Sequence, residues 1–93
     1  MIPEKLKAAL DEHVCAEISS AYLYLAMSAD FESKAWKGFA KWMRVQFREE
    51  MAHALKFVDF MLSRGATIAW KDVKAPATAF GSQVSSRDSA PVT

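Results

Sequence analysis

Residues 39–64 read FAKWMRVQFREEMAHALKFVDFMLSR. Within this stretch Phe39, Met43, Gln46, Glu50, His53, Phe57, Phe60 and Arg64 follow one another in steps of three and four, the spacing of one face of an α-helix. A second apolar run, Phe47, Met51, Ala54, Val58 and Met61, lies beside the first. No proline or glycine interrupts either run, so the whole stretch reads as one long helix. Upstream, Leu6, Leu10, His13, Glu17, Ser20, Tyr24, Met27 and Phe31 form a similar seam. The two seams are out of phase, because continuing the first register would put Lys34, Gly38, Lys41 and Arg48 on the apolar side. A break near residues 33–36 follows. The expected fold is all-α, an antiparallel two-helix hairpin over residues 1–65, with Pro3 and Glu4 suiting the first turn and Arg64-Gly65 ending the second helix.

A hairpin can hide only the stripe on each helix that touches its single neighbour. Residues 21–27 are apolar almost all round, and the second helix carries two apolar runs, more than such a pair can cover. Association with a second copy into a four-helix bundle is the simplest way to bury the surplus. The chain is therefore expected to be a homodimer or larger homo-oligomer. Beyond the hairpin, Gly65 and Pro76 mark residues 66–82 as a connecting loop. Residues 83–93, rich in serine and without period, read as a disordered tail.

With 52% apolar residues, 12% aromatic and 25% charged, the 93-residue chain can form one packed domain. A formal charge of +1 gives no long-range attraction to phosphate backbones or anionic lipid, so neither nucleic acid nor a membrane is expected as a partner. Charges break every apolar stretch before it reaches bilayer length, and the N-terminus lacks the apolar core of a signal peptide. The lone Cys15 cannot form an internal disulfide. A cytoplasmic protein is expected.

The chemistry lies in the residues that interrupt the seams. Glu17 stands on the apolar side of the first helix, and Glu50 and His53 interrupt the second three residues apart. Unpartnered buried carboxylates are costly. Folding the chain near residue 34 puts Glu17 as far before the turn as the midpoint of Glu50 and His53 lies after it, roughly 25 Å at about 1.5 Å per residue. The three groups should converge. Two carboxylates and an imidazole suit iron, manganese or zinc, and carboxylate bundles that hold two irons use one Glu from each of two helices and a Glu-x-x-His from each of the others. One chain supplies half of that set.

The segments AEISSAYLYLAM (16–27), GFAKWM (38–43) and EEMAHA (49–54), with GATI (65–68) and KAP (74–76) after them, resemble the first two helices of bacterial non-haem ferritins and the start of the loop that follows. The resemblance covers roughly residues 1–82, the first half of a subunit, and residues 83–93 match nothing in that family. It implies oxidation of Fe(II) by dioxygen at a di-iron centre and storage of the ferric product. Residue by residue, Glu17, Glu50 and His53 match the family's first-half iron ligands, and Tyr24 matches a tyrosine close to the centre, a catalytic role. On this reading the chain is a ferroxidase whose di-iron site is shared by two copies. The alternatives are a ferritin remnant that only self-associates, or a haem- or iron-binding oligomer with Met51 as the haem ligand. Of the neighbouring residues, His13 reads as a packed or hydrogen-bonded histidine, Glu49 as a solvated acid, Met51 as packing and Cys15 as a small buried or interfacial residue.

Overall fold

The computed structural model describes residues 2–80. Two antiparallel helices, α1 (Glu4–Ser33) and α2 (Lys37–Ser63), pack along their length, in a body of 53 × 23 × 13 Å that is a single layer thick. The break falls where the out-of-phase seams place it. No helix among the described residues is long and apolar enough to cross a membrane. The tail expected at residues 83–93 lies outside the described residues.

Both helices end in the same six-residue cap. At the end of α2, the N–H of Gly65 donates to the Leu62 carbonyl and that of Ala66 to the Met61 carbonyl, both at 3.0 Å, with Gly65 at φ 76°. This is the Schellman arrangement, which satisfies carbonyls that the last turn would leave unpaired. At the end of α1, Ala35 donates to Glu32 at 3.1 Å and Trp36 to Phe31 at 2.9 Å, and the left-handed position is taken by Ala35 at φ 65°. The apolar contact that accompanies such caps is the Phe31 and Trp36 ring pair, 5.6 Å between centroids. Trp36 is also the N-cap residue of α2, so one residue closes one helix and opens the next.

The contact between the helices differs from the sequence expectation by one residue in each. Apart from two aspartates, the buried positions are Val14, Ala21 and Ser28 on α1 and Ala40, Ala54 and Met61 on α2, spaced by seven or fourteen residues in each helix. Part of each seam read from the sequence, His13, Ser20 and Met27 on α1 and Phe39, His53 and Phe60 on α2, is rotated about 100° from this line and borders an open face, whereas Leu10, Glu17 and Tyr24 and Met43, Glu50 and Phe57 lie about 40° from it and are half-buried. Phe39 is 62% exposed there. The cause is steric. Two helices approach to about 8–10 Å where the facing residues are small, and alanine and serine permit that, whereas a row of phenylalanine rings would hold them apart.

After α2 the chain turns back along α1 without helix or strand. Two buried aspartates, 4% and 8% exposed, hold it. Asp11 accepts the N–H of Ala69 at 3.1 Å and pairs with Lys7 at 2.6 Å. Asp30 accepts the N–H of Phe80 at 3.0 Å and pairs with Lys34 at 2.8 Å, whose ammonium also donates to the Phe80 carbonyl. The aspartates stand about 28 Å apart along the helix. The strap between Ala69 and Phe80 must cover that in steps of about 2.6 Å per residue, roughly three quarters of the fully extended rise. Cys15 is half-buried and its thiol faces the Asp72 carbonyl at 3.8 Å.

Candidate metal centre

Glu17 from α1 and Glu50 and His53 from α2 come together midway along the hairpin, each offering one ligand atom within 4.8 Å of the others. The convergence expected from counting residues to the turn is therefore present. His53 Nδ1 lies 3.7 Å from Glu17 Oε1 and 3.8 Å from Glu50 Oε1. The side chains are 16%, 22% and 51% exposed for Glu17, Glu50 and His53. They sit on the rim between the close contact of the helices and the open face, where the shift in packing has moved them out of the interior.

The two carboxyls stand close enough for a hydrogen bond between them when one carries a proton. That hydrogen bond raises Glu50 above the usual glutamate range, with burial and the charge of Glu17 acting in the same direction. It lowers Glu17, helped against burial by His13 and His53. Of the two, Glu17 therefore ionises first. Like charges at this distance are stable only with a positive charge between them. A divalent cation bound between them would supply it. Two carboxylate oxygens and an imidazole nitrogen are the donors that iron, manganese and zinc accept.

His13, one turn before Glu17, lies outside this group of three. Its Nε2 lies 2.9 Å from Glu17 Oε2, and its ring meets that of Phe57 edge to face with centroids 4.4 Å apart. This agrees with its reading as a packed and hydrogen-bonded residue. Tyr24 is half-buried on the same face of α1, about 10 Å of helix rise beyond Glu17, and forms no hydrogen bond among the described residues. Glu49 is exposed and Met51 half-buried. The residues that sequence reasoning passed over are Asp11 and Asp30. Their only signal was a lysine four positions away on each side, Lys7 and Lys34, a spacing that ordinarily marks a solvated ion pair.

Comparison with known proteins bears on both the hairpin and the cluster. The ferritin-like domain pattern matches residues 7–86. A bacterial non-heme ferritin of Bacteroides fragilis strain 638R is 41% identical over 81 residues, 87% of this chain and 51% of that protein. One from Staphylococcus epidermidis strain ATCC 12228 is 34% identical over 82 residues, 88% of this chain and 49% of that protein. Among solved structures, a humanized archaeal ferritin superposes with a TM-score of 0.83 at 48% identity, covering 88% of this chain and 50% of that one. The open pore ferritin of the hyperthermophilic archaeon Archaeoglobus fulgidus gives 0.82 at 45%, with the same coverage. The chain spans about half the length of the relatives it matches. With the family pattern running through both helices and the strap, and the hairpin superposing on ferritins at this identity, the chain belongs to the ferritin-like family.

Proposed function

We propose that this chain binds Fe(II) at Glu17, Glu50 and His53 and, joined to a second copy that brings the same three residues, oxidises it with dioxygen and retains the ferric product. The observation that carries this reading is the approach of two carboxylates and an imidazole to within 4.8 Å on two different helices. Three ligand residues serve one ion, and two copies would supply four carboxylates and two imidazoles, enough for a pair of irons with positions left for dioxygen or water. In the oxidation each of two Fe(II) loses one electron. Dioxygen takes both and, with two protons, leaves as hydrogen peroxide. Tyr24, placed by resemblance, stands on the same face and would be close to the centre. The open face, with Leu6, Phe39 and Phe60 exposed, is the surface through which the second copy would join. A cytoplasmic setting suits the single unpaired thiol.

Anaerobic titration with Fe(II) followed by admission of oxygen tests the proposal. One tight iron per chain, oxidised rapidly on mixing, is the expected result. Binding well below one per chain, or oxidation no faster than that of free Fe(II), would overturn it.

A further inference from the structure

Glu17 has two oxygens, and the structure assigns them different partners. Oε1 faces His53 Nδ1 at 3.7 Å, on the side where Glu50 also stands. Oε2 is held by His13 Nε2 at 2.9 Å. We infer that His13 is a positioning residue for the metal centre: it holds the outer oxygen of Glu17 so that this carboxylate presents a single oxygen to the ion. The inference rests on the reading of Glu17, Glu50 and His53 as metal ligands, and it adds a residue that lies outside that set.

Three observations distinguish this contact from an ordinary His and Glu pair one turn apart on a helix surface, which contributes little. First, Glu17 is only 16% exposed, so the carboxylate has few water molecules with which to replace a lost donor. Second, His13 is fixed from α2 as well as from its own helix, because its ring packs edge to face on Phe57 at 4.4 Å. That contact limits the rotation of the imidazole and aims its N–H. Third, the geometry excludes a simple alternative. His13 is not within ligand distance of the whole group, which comprises Glu17, Glu50 and His53 alone. It therefore reaches the centre through Glu17 and not as a fourth ligand. Donors behind a ligating group fix its orientation and raise the affinity of the site, and their loss weakens metal binding by about 10–100-fold. That relation is usually met as a carboxylate behind a histidine ligand. Here the order is reversed, with the histidine behind the carboxylate.

Two substitutions separate the hydrogen bond from the ring contact. His13→Phe keeps an aromatic ring against Phe57 and removes the donor. His13→Gln removes the ring and keeps an N–H that can reach Glu17 one turn away. Zinc is the probe, because it accepts the same donors and is not oxidised by dioxygen. Its affinity is measured on the full chain by competition with a chromophoric chelator, alongside light scattering for assembly and thermal unfolding for fold. His13→Phe should bind zinc at least about tenfold more weakly than the parent, with unchanged mass and melting temperature. His13→Gln should recover most of that loss. If His13→Phe binds as tightly as the parent, the inference is overturned while the metal site stands. If His13→Gln loses as much as His13→Phe, the imidazole acts as a ligand or as packing, and the positioning role is again overturned. A parent that binds no zinc would remove the metal reading itself, and His13's role with it.

Discussion

Asp11 accepts the backbone N–H of Ala69, fifty-eight residues further along the chain, at 3.1 Å. The same carboxylate binds Lys7 at 2.6 Å. It is one of the two fastenings of the strap, and Lys7 holds it below the usual aspartate range, with burial opposing and the Ala69 N–H assisting. A group whose pKa is lowered by folding stabilises the fold above its unfolded value and loses that contribution as pH falls through the folded value. The fastening should therefore be complete at neutral pH and weaken below pH 3.8, the unperturbed value. Limited proteolysis of residues 66–80 as a function of pH should show a rise in cleavage on that acid limb. In Asp11→Asn the acid-dependent rise should be lost and cleavage should be faster at neutral pH, with a cost of about 2 kcal/mol for a charge-assisted hydrogen bond.

Ala35→Gly should stabilise the protein. A residue with a Cβ in the left-handed region costs roughly 1–2 kcal/mol, whereas glycine occupies it freely. Ala35 holds that conformation at φ 65°. Some of the gain is offset by the greater freedom of glycine in the unfolded chain, leaving about 1 kcal/mol. For a chain of this size that is a rise in melting temperature of about 4–8 °C, readable by circular dichroism.

Substitution on the helix contact and on the open face should have opposite signatures. Ala54 is buried between the helices, and Ala54→Leu should force them apart at a cost of about 1–3 kcal/mol. Phe39 is largely exposed. Phe39→Ala should leave the helicity of each chain unchanged and weaken association, measured as a higher dissociation concentration in sedimentation. Equal loss of helicity in both variants would contradict the packing described here.

Glu50→Gln should separate apoprotein stability from metal binding. The amide can donate to Glu17 as a protonated carboxyl would, without the tendency to ionise that burial opposes. In the absence of metal the variant should be at least as stable as the parent at pH 7, and its advantage should shrink as pH falls toward 4.5, the ordinary glutamate value. The sign follows from the raised Glu50: a raised group contributes stability at low pH and loses it as pH climbs through the folded value. Iron or zinc binding should fall by about two orders of magnitude or more, since a charged ligand is removed from a site that offers three. Calorimetry of both forms, with and without zinc, checks the two halves separately.

Much of this was legible before any coordinate. The phase difference between the two seams located the break, and counting from it brought Glu17 level with Glu50 and His53. Both results depend only on rise per residue and period, which are local properties. Which stripe faces the partner helix is not local. Period alone cannot distinguish the line through Val14 and Ala54 from the line through His13 and His53, because the choice depends on how closely two surfaces can approach, and the smaller side chains won. The turn was obscure for a related reason. Its left-handed position is filled by Ala35 where glycine would have announced it. The strap was hidden because its fastenings join side chains to backbone N–H groups, and backbone N–H groups carry no sequence signal.

The strap also gives the hairpin a front and a back. Asp11 and Cys15 meet it on one flank of α1, while His13 and Glu17, each two residues further on, point about 200° around the same helix. One flank is thus sealed by the chain's own backbone, and the other, with the carboxylates, is left accessible. A second molecule that meets α1 on its sealed flank encounters the strap, and only an approach from the other side reaches the acidic cluster. The two aspartates, which touch only the strap and their own lysines, therefore decide which flank of α1 the described chain covers.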